Sequence, residues 1–126
     1  MANKRILIID DEPGICQVVQ VAFKVITQWE VLVANSAQAG MAIATAEQPD
    51  AILLDVMMPE VDGLSTVEMM QANPTIQHIP IILLTAKVQS SDRRRFSSMD
   101  IAGIITKPFA SETIASTVAD LLAWDM

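Results

Sequence analysis

Four short apolar runs in this chain each end in a residue capable of chemistry, and that repeated arrangement restricts the fold more than any other feature. Ile6-Leu7-Ile8-Ile9 leads into Asp10-Asp11, Ala51-Ile52-Leu53-Leu54 into Asp55, Ile81-Ile82-Leu83-Leu84 into Thr85, and Ile104-Ile105-Thr106 into Lys107. Apolar runs this short, with no polar alternation, read as strands buried on both faces in a parallel sheet covered by helices. In open sheets of that kind, ligands bind beyond the carboxyl ends of the strands. The pattern therefore gathers three acids, one hydroxyl and one amine along a single edge.

A chain of 126 residues suits one domain with a real core. Its hydrophobic share, 52%, exceeds that of an ordinary soluble domain, as a sheet covered on both faces requires. Charged residues, Gln or Pro interrupt every apolar run before it reaches the length of a membrane span. Met1-Ala2-Asn3-Lys4-Arg5 opens straight onto the first run and makes a poor signal peptide. Cys16 is the single cysteine, so it forms no internal disulfide, and a reducing cytoplasmic location is expected. A net charge of −7 argues against a nucleic-acid surface. Arg93-Arg94-Arg95 reads as a solvated helix start, with attraction to an acidic partner as the alternative.

The apolar runs alternate with helical patterns, which predicts an α/β layer architecture. Strands are expected at about 4–9, 30–34, 51–54, 80–84 and 103–106. Ile15, Val18, Val19, Ala22 and Phe23 recur at helical spacing over 14–27, with Pro13 suited to the first turn. Ser36 is a candidate N-cap for a helix over 37–46 with a face of Ala37, Met41 and Ala44. A helix over about 64–72 follows, then one after Ser90-Ser91, and Ser111 is placed to cap a last one over 112–123. Asp62-Gly63 reads as a turn with Gly63 at positive φ. His78 falls in an exposed connection, and Trp29 and Trp124 are expected to pack at element ends. Five strands and five helices in alternation fit a doubly wound parallel sheet of order 2-1-3-4-5. In that order strands 1 and 3 are neighbours, which sets Asp10, Asp11 and Asp55 side by side.

Crowded carboxylates repel unless a cation lies among them. Capping of the first helix is the plain alternative for Asp10 and Asp11. An oxygen-only cluster without His or Cys suits Mg²⁺ rather than a softer metal. Asp55, alone at its strand end, is placed to act as a carboxylate nucleophile in phosphoryl transfer. Lys107 offers a point charge to phosphoryl oxygens, and Thr85 a hydroxyl donor.

Asp10-Asp11-Glu12, Asp55-Val56-Met57-Met58-Pro59-Glu60-Val61-Asp62-Gly63, Leu84-Thr85-Ala86 and Lys107-Pro108-Phe109 together resemble the motif set of response-regulator receiver domains over essentially the whole chain. The resemblance implies a flavodoxin-like (βα)₅ fold and a Mg²⁺-dependent phospho-aspartate on Asp55. It implies Asp11 as principal metal ligand, Asp10 as a direct or water-mediated helper, and the Met57 backbone carbonyl in the metal shell. Thr85 and Lys107 would bind the phosphoryl group, and Lys107-Pro108 would be a cis peptide. Met57 and Lys87 occupy positions that flank attacking water in this family, and slow self-dephosphorylation is expected. The sequence departs from the family at Ile104, where a Tyr or Phe is usual, so the common aromatic readout cannot operate as such.

The resulting expectation is a single-domain response regulator over 1–126, with no output domain. Its partners would be a histidine kinase or histidine phosphotransfer protein and a downstream protein target, with the domain a monomer or weak dimer. It would catalyse only its own phosphorylation and slow dephosphorylation, and would signal through protein binding or an onward phosphorelay. Two rivals differ in class. A phosphatase using aspartyl phosphate needs a second acid two residues after the nucleophile, where Met57 stands. A receiver-like module working without phosphate is favoured slightly by Ile104 and opposed by the intact Asp10, Asp11, Asp55, Thr85 and Lys107 set.

Overall fold

The computed structural model describes residues 4–56, 63–85 and 100–124. Five parallel strands, β1 (Arg5–Ile9), β2 (Glu30–Ala34), β3 (Ala51–Asp55), β4 (Ile81–Thr85) and β5 (Gly103–Thr106), form one sheet of order β2-β1-β3-β4-β5. The described helices are α1 (Pro13–Ile26), α2 (Ala37–Glu47), α3 (Gly63–Ala72) and α4 (Ile114–Leu122). This is the expected doubly wound order. The helix expected after Ser90-Ser91, together with Lys87 and Arg93-Arg94-Arg95, lies outside the described residues.

The strands are apolar throughout because both faces of the sheet are covered. Side chains alternate across a strand, so Ile6 and Ile8 point to one side and Leu7 and Ile9 to the other. On the first side they join Leu53, Ile82 and Leu84 under Val19 and Phe23 of α1 and Ile114 and Val118 of α4. On the second, Ile52, Leu54, Ile81 and Leu83 lie under Ala37 and Ala44 of α2 and Val67 and Met70 of α3. Every residue of β3 and β4 is buried, whereas the edge strand β2 is half-exposed through Val31, Leu32 and Val33. At about 25 cal/mol per Å² of apolar surface, each buried Ile or Leu contributes roughly 1.5–3 kcal/mol.

Local chemistry sets the helix ends. Pro13 occupies the first turn of α1, where its missing N–H costs nothing. The Ser36 hydroxyl accepts from the Ala39 N–H at 3.1 Å and caps α2. The buried stripe of α1 is Cys16, Val19, Ala22 and Phe23, with Val18, Val21 and Val25 on an exposed flank. Ala37 and Ala44 of α2 are buried and Met41 packs half-buried against the same core, and Gly40 joins that face. Three expectations need correction: the positive φ of Gly63, the start of the last helix and its Ser111 cap. Gly63 is the first residue of α3, a helical position, and no described glycine has positive φ. The last helix begins at Ile114 rather than 112, because residues 111–113 form a tighter turn in which Ala110 O accepts from the Thr113 and Ile114 N–H groups. Thr113, not Ser111, stands at the N-cap, without a side-chain capping bond.

His78 is exposed in the α3–β4 connection, as expected. Trp29 packs edge-on against both Phe23 and Trp124 at the opposite end of the sheet from the acids. No described helix is long and apolar enough to cross a membrane.

Candidate functional site

The sheet order assembles the site. β1 and β3 pair in parallel with Ile9 opposite Leu54, so the next step along both strands brings Asp10 and Asp55 abreast. β3 and β4 pair with Asp55 opposite Leu84, and β4 and β5 with Thr85 opposite Thr106, so Lys107 follows directly beyond the edge. The ladder continues past the last strand residues, with the Lys107 N–H donating to Thr85 O at 2.7 Å and the Asp10 N–H to Ala34 O at 3.0 Å. Residues far apart in sequence thus meet because each stands at the carboxyl end of its strand.

Asp10, Asp55 and Thr85 are buried, and Asp11 is half-buried. The three acids each place a carboxylate oxygen within 4.8 Å of the others. The Lys107 ammonium donates to Asp10 Oδ2 at 2.8 Å and lies 3.5 Å from Asp55 Oδ2. Asp10 Oδ1 accepts from the Glu12 N–H at 2.9 Å. Both oxygens of Asp10 are therefore engaged, and the capping-type bond to Glu12 coexists with membership of the acidic cluster. Burial pulls the Lys107 pKa down, but the hydrogen bond and charge of Asp10, with the charges of Asp55 and Glu12, hold it above the ordinary lysine value. Lys107 accordingly stays cationic at neutral pH, and three carboxylates against one ammonium leave a formal charge of −2. That imbalance, with all donors oxygen, fits a divalent hard cation.

The site contains two residues that the sequence reading did not assign to it. The Asn35 side-chain amide donates to the Asp10 backbone carbonyl at 3.0 Å, and the buried Cys16 thiol approaches the same oxygen at 3.6 Å. Extending the β1–β2 register past Ile9 and Ala34 would have found Asn35. Burial pushes the Cys16 thiol up to about 11, with the charge of Asp10 adding to the rise and Lys107 opposing it. Lys107-Pro108 is cis, as the resemblance implied. The Met57 carbonyl lies outside the described residues.

The response regulator receiver domain model matches residues 6–119. The chain belongs to that family. The receiver is 35% identical over 118 residues to the DNA-binding dual master transcriptional regulator RpaA of Synechocystis sp., covering 94% of this chain and 48% of RpaA. It is 32% identical over 122 residues to the phosphate regulon transcriptional regulatory protein PhoB of Pseudomonas aeruginosa, covering 97% of this chain and 53% of PhoB. The chain thus spans about half the length of these relatives. Among solved structures it superposes on the chemotaxis protein CheY4 of Vibrio cholerae with a TM-score of 0.87 at 26% identity, covering 95% of this chain and 99% of CheY4. Phosphoacceptor chemistry and an acidic cation pocket are general to receivers, and the Asp10, Asp11 and Asp55 cluster of this one stands at the expected strand ends.

Proposed function

We infer that this receiver accepts a phosphoryl group onto Asp55 from a histidine kinase or histidine phosphotransfer protein, with Mg²⁺ bound by Asp10, Asp11 and Asp55. The observation that carries the reading is the convergence of three carboxylates within 4.8 Å with a lysine ammonium between Asp10 and Asp55. Bound Mg²⁺ would supply the positive charge that offsets the acids and the incoming phosphoryl oxygens. An Asp55 carboxylate oxygen attacks phosphorus, the P–O bond forms as the P–N bond of the donor breaks, and the electron pair leaves with the imidazole. Lys107 turns from the acids to the phosphoryl oxygens, and the Thr85 hydroxyl donates to the same group. Asp11, the half-buried acid, is the principal cation ligand; Asp10, already bound to Lys107 and to the Glu12 N–H, assists. The receiver catalyses only its own phosphorylation and slow dephosphorylation, and passes the signal by binding a protein or by onward relay.

Intact-mass measurement after incubation with a small phosphodonor and Mg²⁺ tests the chemistry. Wild type is expected to gain the mass of one phosphoryl group and Asp55→Asn to gain none. An unmodified wild type, or an equal gain in the variant, would overturn the assignment.

A further inference from the structure

We propose that Asn35 is a positioning residue for the cation site, acting through the peptide that joins Asp10 to Asp11. The inference rests on the metal reading above and adds a residue that reading does not use. The two carboxylate-bearing residues share one peptide plane, so holding its carbonyl oxygen fixes the direction in which both side chains leave the strand. That oxygen accepts from Asn35 Nδ2 at 3.0 Å and from the Cys16 thiol at 3.6 Å. The amide also reaches Cys16 Sγ at 3.9 Å, which closes a triangle linking the end of β2, the loop after β1 and the first turns of α1. A thiol is a weak donor, so the amide supplies the main restraint.

The sheet explains why a side chain is needed there. The Asp10 N–H still donates to Ala34 O as the parallel ladder runs out. In a parallel ladder the Asp10 carbonyl would then accept from the backbone N–H of residue 36. The chain instead turns at Ser36, which caps α2 with φ −151° and ψ 158°. Asn35 replaces the missing backbone donor with its own amide, so Asp10 is bracketed at N–H and C=O by consecutive residues of the neighbouring strand's end. Asn35 itself is exposed, so its side chain adds little to the core and its contact is spent on the acidic loop.

Calorimetric titration of the full chain with Mg²⁺ alone, well below the melting temperature, tests this. Asn35→Ala is expected to weaken Mg²⁺ binding about five-fold, the equivalent of one neutral hydrogen bond. Ser36→Ala removes the adjacent helix cap without touching Asp10, and is expected to lower the melting temperature while leaving Mg²⁺ affinity at the wild-type value. An Asn35→Ala affinity equal to wild type overturns the proposal. So does an equal weakening by Ser36→Ala, which would trace the loss to general loosening. A wild type that takes up no Mg²⁺ overturns the metal reading as well, and is distinguished from failure of the proposal alone by that first titration.

Discussion

Lys107 holds two acids at once, 2.8 Å from Asp10 and 3.5 Å from Asp55. Removing one member of a buried ion pair costs about 3–5 kcal/mol, because the other charge is left in a low-dielectric site. Lys107→Met is therefore expected to lose stability on the order of 3 kcal/mol in metal-free buffer. Mg²⁺ should restore more stability to the variant than it adds to wild type, since the ammonium no longer competes with it. Urea denaturation with and without Mg²⁺ measures both effects; equal Mg²⁺ gains would show that Lys107 and the cation do not share the acids. Cys16 gives a second test with a definite sign. Its thiol lies at about 11 in the fold against an ordinary value of 9.0, so the folded protein keeps the proton longer than the unfolded chain does. The stabilisation is fully present below pH 9 and is lost as the pH climbs towards 11. Between pH 8 and pH 10.5, metal-free wild type should lose on the order of 1–2 kcal/mol more than Cys16→Ala. Parallel losses in the two proteins would rule out a thiol titration coupled to folding.

Helix α2 shows what the sequence pattern reveals at the scale of an element and what it conceals. Its start was legible because Ser36 has a short side chain that reaches the Ala39 N–H. Its face of Ala37, Met41 and Ala44 was legible too, but its closest approach to a strand was not, because that is set at Gly40 by the absence of a side chain. A Cβ at Gly40 would lie 2.3 Å from Ile9 Cδ1 and 2.6 Å from Ile9 Cγ1. Ile9 of β1 is fully buried in the core beneath α2, so its side chain would have to shift among packed neighbours. Gly40→Ala gains helix propensity of at most about 1 kcal/mol, while overpacking a core costs typically 1–3 kcal/mol. The net expectation is a loss of about 1 kcal/mol, read from the denaturation midpoint; a more stable variant would mean that α2 can lift from β1 freely. Helix α1 is apolar on an exposed flank, Val18, Val21 and Val25, as well as on its buried stripe. Periodicity alone cannot choose between Val18 and Cys16 when both are apolar. The late start of α4 was not legible because Ser111 is the better cap by residue type, whereas the turn from Ala110 sets Thr113 at the helix start.

Across the whole molecule, the strand order was the legible part, since alternation of strands and helices leaves few topologies, and with it came the adjacency of Asp10 and Asp55. The aromatic corner was less so: Trp29 and Trp124 are far apart in sequence, and only the fold shows them edge-on at 5.3 Å, with Lys4 Nζ 4.8 Å from the Trp124 ring. These rings gather where the strands begin, and the acids where they end, so strands of five residues, about 16 Å long, separate the two. That separation makes a global prediction. Mg²⁺ bound at the proposed site would relieve carboxylate repulsion in the folded state and would have no comparable site in the unfolded chain. At ten times its dissociation constant it should therefore stabilise the receiver by about 1.4 kcal/mol. For a domain of this size that raises the melting temperature by roughly 3–6 °C. Tryptophan fluorescence should follow the melt because unfolding dissolves the Trp29–Trp124 pair, yet the emission of the folded protein should not move during the titration itself. Asp11→Asn should lose most of the temperature gain, and a monovalent salt of equal ionic strength should not reproduce it. A melting curve indifferent to Mg²⁺ would mean that the three acids are balanced by Lys107 and solvent alone. A shift in folded-state emission on titration would mean instead that the sheet transmits cation binding from one end to the other, and that its two edges are not independent.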